Sequence, residues 1–262
     1  MELTGYVAAI FIGIILGILG GGGSILSIPI LVYLFHIEPV LASAYSLFIV
    51  GMTSLVGAIP KYRDHFVNIR TGLIFGIPSI ATIFITRKWI VPAIPDIIFT
   101  VGEVSLTKRF LLLGVFGMLM ILASISLIRH KEMKNEDHRF QKLLIITEGA
   151  LIGFLTGLVG AGGGFLIIPA LVLLTGLQFK TAVGTSLFII AVNSLVGFLG
   201  DVMNYGIDWD FLILITSLAI VGILIGNKLQ KKVPGYKLRQ SFGWFILFMG
   251  LYILVRELFF IY

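Results

Sequence analysis

Eight apolar segments divide this chain of 262 residues, and each of them is 18 residues or longer. An α-helix needs about 20 apolar residues to cross the hydrocarbon core of a bilayer. Charged residues make up only 12% of the chain, against about 25% in soluble domains. We therefore interpret the chain as an all-α polytopic membrane protein. The segments are residues 4–35, 41–59, 69–86, 107–128, 143–175, 181–199, 210–227 and 239–258.

The chain also contains an internal repeat. A shift of 140 residues aligns residues 13–57 with residues 153–197 without a gap, and 20 of the 45 positions are identical. Self-similarity at one fixed shift indicates a duplication. We therefore predict a first membrane repeat at 1–128, a charged cytoplasmic linker at 129–142 and a second membrane repeat at 143–262.

The first segment of each repeat is too long for one ordinary span. Thirty-two helical residues would cover about 48 Å, whereas the hydrocarbon core is about 30 Å thick. Glycines interrupt both segments near the middle, at residues 20–23 and 160–164. Four consecutive glycines cost about 3–4 kcal/mol of helix propensity, so we expect the helix to break at both places.

The distribution of charge predicts how the spans are oriented. Basic residues crowd the loops at 60–70, 129–142 and 228–239, which favours a cytoplasmic position for all three. The loop at 200–210 has three aspartates and no basic residue, so we expect it outside. Its counterpart in the first repeat is the basic loop at 60–70, which indicates that the two repeats have inverted topology.

Inversion requires an odd number of crossings in each repeat. We therefore predict that each repeat is a glycine-broken helical hairpin followed by three transmembrane helices, with both termini outside. Basic pairs at 87–88 and 108–109 flank a loop that this topology places outside. Trp89 and two prolines indicate that residues 88–106 form an interfacial excursion, with Trp89 at the headgroups. No lysine or arginine lies near the middle of a predicted span.

Two glycine-rich hairpin tips that enter from opposite faces can meet near the bilayer midplane, where inverted-repeat transporters bind their substrates. A new half-helix begins after each tip, and its first amide groups carry the positive end of the helix dipole. Glycine lets a ligand approach this backbone closely. The tips are therefore predicted to attract an anion.

Polar side chains on the following helices extend the predicted site. Ser46 and Thr53 are seven residues apart and share one helical stripe, as do their counterparts Ser186 and Asn193, and Thr185 adds a hydroxyl. The alternative for single serines and threonines is a bond to their own helix backbone. The predicted substrate-binding residues are Gly20, Gly21, Gly22, Gly23, Ser24, Ser46, Thr53, Gly160, Ala161, Gly162, Gly163, Gly164, Thr185, Ser186 and Asn193.

Other glycines have a different interpretation. Gly13 and Gly17, and likewise Gly153 and Gly157, form small-xxx-small pairs, which typically serve helix packing. Glu148 lies about a turn into the membrane from the linker. It could relay protons, or it could be an interfacial carboxylate.

Several function classes are excluded or disfavoured. The chain has no cysteine, which excludes thiolate metal sites and cysteine nucleophiles. Its four histidines lack metal-ligand spacing, and no Gly-Lys-Ser/Thr follows either glycine run. We find no nucleophile with a matching base, which disfavours a membrane enzyme. We therefore predict no enzyme, metal, cofactor or nucleic-acid partner.

The glycine runs and the residues after them resemble a known family. The stretches GILGGGGSILSIPIL (17–31) and GLVGAGGGFLIIPAL (157–171), with the element AVGTSL (182–187), are similar to the sulfite exporter TauE/SafE family of membrane permeases. The resemblance covers essentially the whole chain. The first repeat departs from the pattern, because Ala44 and Tyr45 stand where Gly184 and Thr185 match it.

The resemblance implies export of a small sulfur-containing anion, such as sulfite or an organosulfonate, across the cytoplasmic membrane. Combined with the predicted tips, it favours a secondary transporter that works by alternating access around a midplane site. Its expected partners are the anionic substrate, the lipid bilayer and a coupling proton or ion. An anion channel and a membrane scaffold without substrate remain alternatives, and the substrate, coupling ion and oligomeric state are open.

Overall fold

The computed structural model describes residues 2–21, 24–95, 97–101, 104–129, 138–160 and 162–259, and nearly all of them are helical. The described helices are α1 Glu2–Leu19, α2 Ser24–Tyr33, α3 Pro39–Arg63, α4 Ile69–Ile85, α5 Val91–Ala93, α6 Lys108–Arg129, α7 His138–Val159, α8 Gly164–Thr175, α9 Phe179–Val202, α10 Trp209–Gln230 and α11 Gly235–Phe259. A short antiparallel pair of strands, β1 Ile97–Val101 and β2 Val104–Thr107, precedes α6.

Six helices in the described ranges are long and apolar enough to cross a membrane, and three shorter apolar helices accompany them. This confirms the predicted all-α membrane class. The six are Pro39–Arg63, Ile69–Ala93, Lys108–Ile128, Phe179–Val202, Trp209–Gln230 and Gly235–Phe259, and the shorter ones are Gly5–Leu19, Ser24–Tyr33 and Leu143–Val159.

Both long first segments break at their glycines, as predicted. Helix α1 ends at Leu19 and α2 starts at Ser24, while α7 ends at Val159 and α8 starts at Gly164. The first pair folds back as a hairpin, because the Phe35 ring that follows α2 packs on Gly5 near the start of α1. Glycine is needed there, since a Cβ at that position would lie 2.2 Å from the ring.

Polar caps fix where several spans begin. Asn68 accepts a hydrogen bond from the amide of Thr71 (3.0 Å) and so caps α4. Asp208 accepts one from the amide of Phe211 (3.2 Å) and caps α10. The two caps are 140 residues apart, so the shift detected in the sequence also relates the third span of each half.

The predicted end of the third span is wrong. The helix does not stop at residue 86 but continues to Ala93 through a π-helical turn, Thr86–Ile90. The predicted excursion at 88–106 is therefore partly helix and partly the strand pair. Trp89 is exposed, and the Lys88 ammonium lies 5.2 Å from the centre of its ring.

The principal helix contacts join the two halves of the chain. Helix α1 packs on α10, α3 on α9, α4 on α7, and α6 on α11. Glycines permit the closest approaches: a Cβ on Gly13 would lie 1.9 Å from the carbonyl oxygen of Ala219, and one on Gly153 would lie 2.4 Å from that of Ser79. The prediction that these small-xxx-small glycines serve packing is confirmed.

Candidate functional site

The two glycine breaks touch each other. A Cβ on Gly21 would lie 2.1 Å from the Cα of Gly164, and a Cβ on Gly164 would lie 2.1 Å from the Cα of Gly21. Real Cβ atoms do not approach other atoms so closely, so the two backbones meet only because both residues are glycine. The predicted meeting of the two tips is thus present in the structure.

Left-handed backbone shapes both breaks. Gly20 has φ +70° in the first break, and its counterpart Gly160 has φ +79° in the second. Gly162 and Gly163 are also left-handed, and the carbonyl of Gly163 accepts the amide of Ile167 (2.9 Å) at the start of α8. Non-glycine residues rarely adopt this conformation, which explains the glycine at each position.

A buried arginine lies against the second break. Arg87, in the π-helical turn, is fully buried, and its Nη2 would be 1.8 Å from a Cβ on Gly160. Its Nη1 donates to the hydroxyl of Ser43 (2.8 Å) and forms an ion pair with Asp201 (3.2 Å). Among the described residues, its Nε and Nη2 have no hydrogen-bond partner. The guanidinium therefore has N–H groups that are out of contact with water and still free to donate to a ligand.

This arginine was missed from the sequence. Because the predicted span ended at residue 86, Arg87 was assigned with Lys88 to an outside loop. The 140-residue shift offered a signal, since it pairs Arg87 with Asn227, which is also buried near the end of its span. A buried polar residue in a matched position of both halves points to the interior rather than to a loop.

Two more polar side chains border the second break. The Thr156 hydroxyl oxygen would be 2.2 Å from a Cβ on Gly163, and the Ser194 hydroxyl oxygen would be 2.9 Å from a Cβ on Gly162. Both hydroxyls are buried, and neither has a hydrogen-bond partner within the described ranges. Together with Arg87, they surround this break with unused donors, an arrangement suited to an anion.

Next to the first break, the described serine hydroxyls have hydrogen-bond partners within the fold. Ser24 donates to the carbonyl of Gly21 (2.6 Å), and Ser27 donates to the carbonyl of Ser24 (2.7 Å). The Ser27 hydroxyl also lies 2.5 Å from that of Ser46, which ties α2 to α3. These three serine hydroxyls are therefore used by the fold and are not free for a ligand.

The remaining predicted residues occupy different surroundings. Thr53 and Ser186 donate to carbonyls of their own helices. Asn193 donates to the Ser79 hydroxyl (2.6 Å), and its side-chain oxygen is buried without a partner in the part of the chain that is described. Thr185 accepts the amide of Asn68 (2.9 Å), a loop contact away from both breaks. Gly22, Gly23 and Ala161 lie outside the described residues.

The chain is similar in sequence to one protein family and to several curated membrane proteins. A family model described as Sulfite exporter TauE/SafE matches residues 6–253. A probable membrane transporter protein of Xylella fastidiosa (strain Temecula1) is 27% identical over 94% of this chain and 92% of its own. The probable membrane transporter protein MJ0441 of Methanocaldococcus jannaschii is 27% identical over 94% of each chain. YunE of Bacillus subtilis, also a probable membrane transporter protein, is 26% identical over 87% of this chain and 89% of its own. No solved structure matches.

Proposed function

Since the chain belongs to the sulfite exporter TauE/SafE family, we propose that it is a secondary transporter that exports a small sulfur-containing anion, of the sulfite or organosulfonate class. The anion binds where the two glycine breaks meet, and the two halves alternate in access around it. The protein lies in the cytoplasmic membrane with both termini outside, and a proton or another ion drives transport.

The buried guanidinium of Arg87 is the observation that carries this proposal. A buried cation that lacks partners for two of its nitrogens costs free energy unless something else binds them. An oxyanion at Gly160 would accept those hydrogen bonds and gain charge-assisted contacts. Thr156 and Ser194 offer neutral donors beside it, so the anion would be held without a second full positive charge.

The Arg87–Asp201 ion pair supports a role in gating. It joins the π-helical turn of the first half to α9 of the second half, and Asp201 is next to the acidic loop that we expect outside. Substrate that accepts hydrogen bonds from the free nitrogens of Arg87 would weaken the ion pair between Arg87 and Asp201. The pair would then open as the halves move apart on the outer side.

Contacts at the two ends of α3 support inverted topology. Near one end of the molecule, the amide of Asp208 donates to the hydroxyl of Tyr45 (2.8 Å). At the other end, Lys231 pairs with Asp64 (2.7 Å). The loop at 64–68 therefore lies at the end of α3, and its counterpart at 204–208 lies near the start of α3. Opposite positions of the two loops support the inverted arrangement.

Flux measurements test the proposal. The protein is reconstituted into liposomes, and uptake of sulfite, methanesulfonate and sulfate is followed. Arg87→Gln combined with Asp201→Asn leaves no unpaired charge, so we expect it to fold and to lose at least about tenfold in flux, the value of a lost charged hydrogen bond. Lys88→Gln, at the half-buried neighbouring position, serves as the control. Absence of flux in the wild type, or unchanged flux in the double variant, would overturn the proposal.

The same measurement separates the two alternatives. A scaffold without substrate is favoured by the direct packing of Gly21 on Gly164, and it predicts no flux for any anion. An anion channel predicts flux that does not saturate and shows no counterflow. A transporter saturates with substrate concentration and exchanges labelled for unlabelled anion across the membrane.

A further inference from the structure

A polar cavity lies away from the glycine breaks. Its volume is about 360 Å³, and it opens between the end of α3, the start of α9 and the end of α10. It therefore sits on the seam between the two halves, among loops that we expect in the cytoplasm. We call it the lysine cavity; its lining residues are Lys61, Asp64, Phe66, Lys180, Gln230 and Lys231.

The charges of the lysine cavity do not cancel. Three lysines face one carboxylate, and Asp64 is paired with Lys231 at 2.7 Å. The hydrogen bond from Lys231 lowers the pKa of the Asp64 carboxyl, so this carboxylate stays ionised at neutral pH. Within the described residues, no carboxylate forms an ion pair with Lys61 or Lys180. Two positive charges are therefore left for a ligand.

Two of the side chains that line the cavity, a lysine and a glutamine, are buried. Lys61 is 5% exposed and Gln230 is 2% exposed. The Gln230 amide nitrogen has no hydrogen-bond partner among the described residues. The Lys61 stem packs closely on Gly184, because its Cβ would lie 3.3 Å from a Cβ on that glycine. A desolvated ammonium and a free amide donor thus line the same cavity in a fixed arrangement.

Comparison of matched positions shows that the two ends of the molecule differ. Lys61 corresponds to Asp201 under the 140-residue shift, and Asn227 corresponds to Arg87. Asp201 is neutralised by Arg87, whereas Asn227 carries no charge and donates to the carbonyl of Gly57 (3.2 Å). At one end of the seam, Arg87 and Asp201 form an ion pair with each other. At the other end, the buried Lys61 forms no ion pair among the described residues, because the Asp64 carboxylate is paired with Lys231.

We propose that the lysine cavity is a second anion site, which binds a small oxyanion through Lys61 and Gln230 before the anion reaches the glycine breaks. Its place on the transport path rests on the proposed function, but its ability to bind an anion does not. A lipid phosphate shares the chemistry of a free oxyanion. The volume fits a free sulfite or sulfonate ion with its remaining waters, and we assign the site to this source.

Equilibrium binding tests the site independently of transport. Sulfite binding to the purified protein is measured by calorimetry in nanodiscs of phosphatidylcholine, for the wild type, Lys61→Gln, Gln230→Leu and the control Lys232→Gln. We expect Lys61→Gln to weaken one binding event by about tenfold or more and Gln230→Leu by several-fold. Lys232 is exposed in the loop after α10 and does not line the cavity, so Lys232→Gln should bind as the wild type does.

The outcomes discriminate clearly. Equal sulfite affinity in Lys61→Gln and the wild type, with both proteins folded by their thermal melts, overturns the site. Loss of sulfite binding when anionic phosphatidylglycerol is added assigns the cavity to lipid and also overturns it. If the wild type binds sulfite at Lys61 but transports none, the site stands and the proposed transport function fails.

A flux measurement then places the site on the path. In vesicles of uniform orientation, Lys61→Gln should raise the sulfite concentration for half-maximal flux by about tenfold from the face that bears Lys232. The value from the opposite face should not change. An equal increase in this concentration from both faces would contradict a site that is open to one face only.

Discussion

At the scale of single residues, the contact between Gly21 and Gly164 is the tightest constraint in the site. A methyl group at either position would lie 2.1 Å from the opposite backbone. We expect Gly164→Ala to destabilise the protein by about 1–3 kcal/mol or more, because two backbones must separate. Gly76→Ala is the matched control, since nothing lies within 4 Å of a Cβ there and alanine favours the helix. The thermal melting temperature in detergent measures both, and equal melts would show that the breaks are not in contact.

Asp201 provides a second test at this scale. Asp201→Asn leaves the Arg87 guanidinium buried without its counter-ion, a change that costs about 3–5 kcal/mol in proteins. Added sulfite should restore part of the lost melting temperature if it binds the guanidinium, and chloride should restore less. The exposed Asp210 on the next helix is the control, and Asp210→Asn should melt near the wild-type temperature. Recovery that is equal for any salt would argue against specific binding.

The residue scale also shows what sequence patterns could not provide. The glycines were identified because a run of them is incompatible with helix wherever it occurs. Arg87 was missed because its meaning depends on a non-local fact, the approach of Gly160 from the other half. Similarly, Thr185 shares a matching motif with Ser186, but its hydroxyl is used by a loop that is more than a hundred residues away.

At the scale of elements, glycine stripes determine how closely the helices pack. Gly222 on α10 faces α1, and a Cβ there would lie 2.1 Å from the carbonyl oxygen of Ile10. We expect Gly222→Ala to push α1 away from α10 and to lower the melting temperature. Gly114→Ala on α6, where the nearest side-chain atom is 4.0 Å away, should leave it nearly unchanged. A melt of Gly222→Ala at or above that of Gly114→Ala would contradict this packing.

The elements also divide into predictable and unpredictable ones. Both broken segments and all six longer spans followed from the lengths of apolar runs, and most observed ends lie within a few residues of the predicted ones. The exception is the third span, where the basic pair at 87–88 was taken as the start of a loop. Arg87 is buried and Lys88 is half-buried there. The helix carries both residues onward through a π-helical turn, which has no signature in hydropathy.

At the scale of the whole molecule, inverted topology is the prediction that most needs an experiment. The chain has no cysteine, so single cysteines can be introduced without further changes. We expect a membrane-impermeant thiol reagent to label Gly206→Cys from outside the cell and Lys232→Cys only after the cytoplasmic face is exposed. Both positions are exposed. Labelling of both from the same side would refute the topology on which the proposed mechanism depends.

The four principal helix contacts between the halves have a consequence for how the protein is made. Helix α1 packs on α10, which begins about 190 residues later in the chain. At ribosomal rates of about 5–20 residues per second, α1 waits roughly 10–40 s in the bilayer before its partner is synthesised. During that wait, its glycine face is open to lipid or to other newly inserted helices. Biogenesis of this protein therefore depends on the first half remaining inserted yet unassembled, and a cell that supplies the two halves as separate polypeptides should still be able to assemble them.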